Sequence, residues 1–300
     1  MKIYPPLAIA DSRILVVGTA RNVQKTIESE IEKLRQAVSE FKAHRFYIVE
    51  SDSEDRTLEI LNKIKNAKAD FDFISLGSLR DSVPKRIERI ATSRNVYVDY
   101  AKRHLDLFDF VLVADLDGVN SEINSEKIAS CFTRSDWGAC TANQSGPYYD
   151  IYALRAKDWV EIDCVKEFVK FREDGEHPLS AWTKAVREKQ VIIPSQSPWI
   201  EVTSAFGGLA IYKIEAFICG SYKTRSSQES NISEHVAFHE AIREAGWRIF
   251  INPFMTNSDY NEHNDFHRLS RRAKHSLKYL ISLIAPTFYV NKFMPNVRVK

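Results

Sequence analysis

The stretch that most constrains this chain runs from Phe108 to Asn120 and reads FDFVLVADLDGVN. Phe110 to Ala114 is an unbroken apolar run, the pattern of a short strand buried on both faces of a sheet. It stops abruptly at Asp115-Leu116-Asp117-Gly118. Side chains alternate along a strand, so Asp115 and Asp117 are expected to point the same way just where the chain leaves the sheet. Two carboxylates converging there cost electrostatic energy unless a cation joins them. A divalent ion with phosphate oxygens completing its shell is the usual answer. The plainer alternative is a solvated turn, because Asp and Gly are common where strands end.

The chain upstream of this stretch supplies its context. Arg13 to Thr19 (RILVVGT) reads as a buried strand that ends in Ala20-Arg21-Asn22, followed by apolar positions at helical spacing, Val23, Ile27, Ile31 and Leu34. Arg45 to Val49 gives a second strand running into Glu50-Ser51-Asp52-Ser53-Glu54-Asp55-Arg56-Thr57. A helix through Leu58, Ile60, Leu61 and Ile64 comes next. Phe71 to Leu76 gives a third strand, and a positively charged helix from about Pro84 to His104 carries Arg86, Arg89, Arg94 and Asn95. Strand and helix alternate four times. This predicts an α/β fold with a mostly parallel, doubly wound sheet and ligands at the carboxyl ends of its strands. Neither GxGxxG nor GxxxxGK[ST] occurs, so a dinucleotide fold and a P-loop are both unsupported.

Beyond Asn120 the periodicity weakens. Trp137 to Tyr149 joins a strand-like segment to a polar turn, and helices are expected near Val165 to Arg172 and Trp182 to Lys189. Ser204 to Tyr212 (SAFGGLAIY) places paired glycines before an apolar run, a sign of close backbone approach. Ser233-Glu234-His235 precedes a helix through Val236, Phe238, Ile242 and Ala245, and Arg248 to Asn252 is the last expected strand. Residues 268–285 form a basic amphipathic pattern. Such a helix can lie on an anionic membrane surface or pack on its own domain.

Bulk properties narrow the classes. Three hundred residues suffice for one large domain or two small ones, and a net charge of +2 gives no support for a nucleic-acid partner. Cys131, Cys140, Cys164 and Cys219 show neither CxxC nor metal-site spacing, which suits reduced thiols. The opening MKIYPPLAIADSR is too short and Pro-broken for a signal peptide, and no apolar run has transmembrane length. The expectation is a cytoplasmic protein, with peripheral contact to the inner membrane face through 268–285 as an option.

Taken in order, these segments resemble the GT-A glycosyltransferases, enzymes that transfer a sugar from a nucleotide-sugar donor. The resemblance spans about Ile14 to His263. Within that fold the pattern is similar to the fungal capsule-associated α-1,3-mannosyltransferase family, through YIVESDSEDRT, RIATSRN, FDFVLVADLD, GPYYDIYALR and SEHVAFH. Those relatives often weaken the DxD to a single Asp, whereas this chain keeps both. The resemblance implies a catalytic domain over 1–265, with a nucleotide-sugar half at about 10–120 and an acceptor half at about 121–265. A tail at 266–300 follows it.

It also implies roles for residues. Asp115 and Asp117 would hold Mn2+ or Mg2+, with a third ligand from 260–263 after the last strand. His263 is favoured and His239 is the alternative. Glu50, Arg21, Arg94, Asp115, Gly207 and Gly208 would bind the donor, with GDP-mannose favoured. Glu234 would be the catalytic base in an inverting enzyme, or would stabilise the transition state in a retaining one. Tyr148, Tyr149, Asp150 and Trp199 would line a pocket for a glycan or glycolipid acceptor in surface polysaccharide or lipopolysaccharide synthesis. Chemistry alone also allows Glu50 and Glu234 to be helix-start acids, Arg94 a surface arginine and Asn95 a helix-terminal residue. His235 and His239, four apart on one helix face, read most simply as a packed or hydrogen-bonded pair. Two rival readings stand beside this one. VLVADLDGVN is similar to the first motif of haloacid-dehalogenase-type phosphatases, with Asp115 as nucleophile, but the later acidic pair that chemistry needs is missing. The other is a non-catalytic sugar-nucleotide-binding protein on the same fold.

Overall fold

A computed structural model of the chain describes residues 8–225 and 232–259. The elements in order are β1 (Arg13–Ala20), α1 (Ile27–Ala37), β2 (Ala43–Glu50), α2 (Thr57–Ala67), β3 (Phe71–Ser75), α3 (Arg86–Arg103), β4 (Phe110–Ala114) and α4 (Ser125–Ala129). They continue with β5 (Ala139–Gln144), α5 (Cys164–Glu173), α6 (Pro178–Ala185), β6 (Ile200–Val202), β7 (Leu209–Lys213), α7 (Ile214–Phe217), α8 (Glu234–Glu244) and β8 (Ile249–Ser258).

Among the described residues the strands form one eight-stranded sheet in the order β3-β2-β1-β4-β7-β5-β8-β6. β1 pairs in parallel with β2 on one side and with β4 on the other, and β2 pairs in parallel with β3. β7 runs against both β4 and β5, β8 runs parallel to β5, and β6 runs against β8. The fold is therefore α/β and Rossmann-like, a mostly parallel sheet flanked by helices. The strand order reverses between β1 and β4, since the chain moves outward from β1 to β3 and returns to β1's other side. A crevice opens at such a reversal, at the carboxyl ends of the strands. Asp115 and Asp117 leave the sheet there.

The alternation of side chains along these strands builds two core layers. Leu15, Val17, Val111 and Val113 face the side packed by α3, α5, α6 and α8. Ile14, Val16, Phe110, Leu112 and Ala114 face the side packed by α1 and α2. The central strands β1 and β4 are apolar on both faces for that reason.

Three differences from the sequence expectation have local causes. α1 begins at Ile27 because the residues before it are tied to the loop after β2. Asn22 N–H donates to Ser53 Oγ, Val23 N–H to Thr57 Oγ1 and Gln24 N–H to Asp55 Oδ2, at 3.0, 2.9 and 3.1 Å. α6 begins at Pro178, ahead of Trp182, with proline at the first helical position and His177 accepting from Leu179 N–H. β8 runs on to Ser258 although Pro253 interrupts it. Proline removes a ladder donor and is confined to irregular sites in a sheet. Here the β5–β8 register shifts on either side of Asn143, whose Nδ2 donates to the Pro253 carbonyl at 3.0 Å. α4 and β6 were not expected from the sequence.

Among the described residues no helix is long and apolar enough to cross a membrane. The basic stretch 268–285 and His263 lie outside the described residues.

The two-layer core sets a first prediction. Leu112, fully buried at the centre of β4, is expected to cost about 2–5 kcal/mol when replaced by Ala. Leu107→Ser, at a position 44% exposed, is expected to stay within about 0.5 kcal/mol. Urea unfolding measures both, and equal costs would contradict the described core.

Candidate functional site

The turn after β4 is fastened from every side. Asp115 N–H donates to the Gly208 carbonyl at 2.9 Å, and Thr26 Oγ1 to the Leu116 carbonyl at 2.9 Å. Leu116 is buried beside Gly18, and Gly118 takes a left-handed φ of +102° that closes the turn. Asn120, fully buried, donates through Nδ2 to the Asp115 carbonyl at 2.7 Å and to Glu30 Oε2 at 2.9 Å. Behind it Asn257 donates to Asn120 Oδ1 and to the Gly207 carbonyl, at 3.2 and 2.8 Å. Burial raises the pKa of Glu30, which the Asn120 hydrogen bond opposes and nearby Asp117 reinforces.

The two motif aspartates differ in surroundings. Asp117 is exposed, while Asp115 is half-buried and turned toward α3. There Arg94 Nη2 lies 3.0 Å from Asp115 Oδ1, and Arg94 Nε lies 3.0 Å from Glu234 Oε1. Glu234 is the first residue of α8 and is 6% exposed. Its position is not that of a capping-box acid, which would sit at the third helical residue. Instead it is joined through Arg94 to the end of β4.

A fourth carboxylate completes the group. Asp150 Oδ2 accepts from Gly207 N–H at 3.0 Å and Oδ1 from Ala153 N–H at 3.3 Å. Desolvation pushes its pKa up to about 6; those backbone donors resist the rise, and the fields of Asp115 and Glu234 add to it. Tyr149, half-buried, lies in the combined field of Asp115, Asp150 and Asp117, and burial raises its phenol well above the usual range. Asp115, Asp117, Asp150 and Glu234 thus share one negative pocket at the strand ends.

Gly207 and Gly208 lie against these carboxylates: Gly207 N–H donates to Asp150 Oδ2, and the Gly208 carbonyl accepts from Asp115 N–H. Both are buried, with φ of +68° and +82°. A Cβ on Gly208 would meet Tyr149 Oη at 2.6 Å and Val119 Cγ2 at 2.8 Å; one on Gly207 would meet the Ala142 carbonyl at 2.8 Å. The paired glycines are required for close backbone packing beneath Asp115, and they present backbone rather than side chain to the crevice.

At the other side of the reversal, Glu50 ends β2 and is 1% exposed. Its Oε1 accepts from Ser53 N–H at 2.9 Å and its Oε2 from Ser75 Oγ. The carboxylate therefore organises the loop that follows it, with lone pairs remaining on both oxygens. Arg21, just past β1, is exposed. Asp52, which the sequence reading passed over, has a left-handed φ of +58° and accepts from Arg80 N–H at 2.8 Å, with Arg89 Nε at 3.5 Å.

Other expected site residues are placed elsewhere. Tyr148 is fully buried against Trp159, which removes it from any acceptor surface. Trp199 packs on Phe250 and under the Arg134 guanidinium, with the core layer on the α1 side of the sheet and away from Arg94 and Glu234. Arg94, expected at the donor, is buried and turned onto carboxylates. Asn95 lies inside α3 and clamps the Tyr222 backbone, donating to its carbonyl and accepting from its N–H, both at 2.8 Å. His239 has both ring nitrogens engaged, Nδ1 with Ser204 Oγ at 3.0 Å and Nε2 with Tyr212 Oη at 2.9 Å. Burial pushes its pKa down to about 3. Its nitrogens are committed to the core, so it does not serve as the alternative metal ligand. His235 is stacked on Phe206 at 3.9 Å, and burial and Arg94 hold it well below the usual range.

The donor set fits a hard divalent cation. Asp115 and Asp117 offer carboxylate oxygens at the edge of the crevice, the ligand type that Mn2+ and Mg2+ prefer. Among the described residues no group of three or more His, Cys, Asp or Glu side chains could enclose an ion. Other ligands would have to complete the shell. Asn120, Asn257 and Gln144, which hold this turn from behind, escaped the sequence reading. Their signal was amide residues at the ends of otherwise apolar strand patterns.

No protein-family model matches the chain, and no curated protein matches it. Among solved structures it is similar to the mannosyltransferase PcManGT from Pyrobaculum calidifontis in complex with GDP-Man and Mn2+. Identity is 15% and the TM-score 0.48, over 91% of this chain and 64% of that one. It is also similar to residues 1–349 of S. aureus TarS, at 12% identity and TM-score 0.46, over 90% of this chain and 64% of that one. GalNAc-T7 with UDP, GalNAc and Mn2+ gives 14% identity and TM-score 0.47, over 83% and 44%. This chain thus spans 64% of the length of the first two. Likeness at this level carries no functional argument, which rests on the geometry above.

Two measurements test this description. Gly208→Ala combines a strained backbone with the Tyr149 and Val119 contacts and is expected to cost about 1–3 kcal/mol by thermal unfolding. His239 binds a proton near pH 6.5 once unfolded but only near 3 in the fold, so stability falls as pH drops through that window. The slope it contributes is at most about 1.4 kcal/mol per pH unit. His239→Gln is expected to flatten that slope and leave Mn2+ binding unchanged; weaker Mn2+ binding would make it a ligand.

Proposed function

We propose that this protein is a metal-dependent glycosyltransferase of the GT-A type, moving a sugar from a nucleotide-sugar donor to a hydroxyl of a glycan or glycolipid. The observation that carries the reading is the DLDG turn at the sheet's topological reversal, with Glu234 tied to its first aspartate through Arg94. This constellation suits a diphosphate bound through a cation, with a proton acceptor close by.

Asp115 and Asp117 would hold Mn2+ or Mg2+, and His263 is the favoured further ligand. When bound, such an ion offsets the charge that builds on the departing nucleoside diphosphate. Arg21, exposed at the end of β1, suits the donor's phosphate oxygens. The remaining lone pairs of Glu50 suit ribose hydroxyls. In an inverting reaction Glu234 takes the proton of the acceptor hydroxyl as its oxygen attacks the anomeric carbon, and in a retaining one it stabilises the transition state. The bond from that carbon to the phosphate oxygen breaks, and the nucleoside diphosphate leaves with the electron pair. Asp150 and Tyr149 stand beside Glu234's pocket, where a carboxyl group and a phenol can orient sugar hydroxyls. GDP-mannose is the favoured donor, on the resemblance to the fungal mannosyltransferases, and the favoured product is a surface polysaccharide or lipopolysaccharide.

A thermal-shift screen of GDP-, UDP-, CMP- and dTDP-sugars, with and without Mn2+, tests the class. A ligand at a hundred times its Kd stabilises by about 2.7 kcal/mol. The shift is expected with one nucleotide, dependent on metal, and absent in the Asp115→Ala/Asp117→Ala double variant. Glu234→Gln is expected still to bind the donor, within about tenfold of the native protein, and to lose about 100- to 10,000-fold in transfer. No shift with any donor would contradict the reading.

A further inference from the structure

Arg94 touches two carboxylates, one phenol and two aromatic rings. Its Nη2 meets Asp115 and its Nε meets Glu234, each at 3.0 Å, while Nη1 donates to Tyr97 Oη at 2.9 Å. The guanidinium lies over the rings of Phe206 and Tyr222, at 5.2 and 5.6 Å from their centroids. The residue is 4% exposed. Buried to that degree, and with its contacts on carboxylates and rings of the protein, the guanidinium is turned inward rather than toward a nucleotide. The next residue of α3, Asn95, clamps the backbone of Tyr222, so one helix fixes both the cation and one of the rings that cover it.

We infer that Arg94 is a positioning residue rather than a donor contact, joining the carboxylate that takes the metal to the carboxylate that takes the acceptor's proton. The inference rests on the glycosyltransferase reading. Asp115 ends β4 and Glu234 opens α8, and without a bridge their like charges would push them apart. A planar guanidinium holds two carboxylates at a fixed spacing, which a point charge on a flexible stem cannot do. The bridge also links their charges. Arg94 opposes a cation at Asp115, and Glu234 offsets Arg94.

This linkage separates a positioning role from the alternatives. Binding of Mn2+ with GDP and of Mn2+ with UDP is measured by calorimetry. Turnover is followed by nucleoside diphosphate release from GDP-mannose and UDP-glucose. In Arg94→Gln, binding is expected to be unchanged or up to about tenfold tighter, because the site loses a positive charge. Turnover is expected to fall by about a hundredfold or more, and Arg94→Lys to recover part of it. Tenfold weaker binding with turnover kept would make Arg94 a donor contact and overturn the inference. A fall in both, or in neither, would also overturn it.

If Arg94→Gln does not fold, Glu234→Gln decides. Freed from Glu234, Arg94 bears fully on Asp115, and Mn2+·nucleotide binding is expected to weaken about three- to tenfold although Glu234 is not proposed as a metal ligand. Unchanged binding would contradict the bridge. A native protein that binds neither Mn2+·nucleotide and turns over neither sugar would remove the glycosyltransferase reading itself, a result distinct from any of these.

Discussion

Like charge gathered around the turn after β4 is the constraint around which this structure is arranged. Asp115 and Asp117 leave the sheet where the strand order reverses, and Asp150 and Glu234 lie close enough for their charges to act on one another with Asp115. Carboxylates gathered in a partly desolvated pocket repel, and burial strengthens that repulsion. The fold answers in two ways. It supplies one buried guanidinium shared between two of them, and backbone N–H groups of Gly207 and Ala153 aimed at a third. Part of the charge stays exposed on Asp117, facing the crevice mouth where a cation and a diphosphate would arrive.

Holding such a pocket requires a rigid frame, and the frame is polar. Asn120, Asn257, Gln144 and Glu30 form a buried hydrogen-bonded chain behind the DLDG turn, linking α1, β4, β5 and β8. Buried amides are tolerated because each finds partners; one left unpaired would cost about 1–3 kcal/mol. The same chain anchors the Gly207 carbonyl. The glycine turn, the DLDG turn and the end of β8 therefore stand or fall together. Sites built on packed elements in this way hold their geometry better than sites carried on free loops.

The first half of the fold was legible in the sequence because its strands are buried on both faces and read as apolar runs. β4 was placed from Phe110 to Ala114, and β1 to within a residue, from the apolar run alone. The three-residue β6 and the five-residue α4 are too short to show a period, and Pro253 hid the second half of β8. At the site, DLD and FGG announced themselves through residue types that few structural positions need. The partnership of Arg94 with Glu234 was invisible, since the two are distant in sequence and both also suit a solvated helix. Tyr148 and Trp199 show the opposite failure: aromatic identity signals ring packing but not how deeply, or on which face of the sheet, a ring packs. The pairing of His239 with Ser204 and Tyr212 agrees with the simpler reading of that histidine, whose spacing from His235 alone had left zinc open.

The most direct test of the central claim is anomalous diffraction from crystals grown with Mn2+ and GDP. The account predicts one manganese peak against the carboxylates of Asp115 and Asp117, with the diphosphate on its far side and Arg94 still bridging to Glu234. A peak at another group of residues, or crystals with nucleotide bound and no manganese at the DLDG turn, would contradict it.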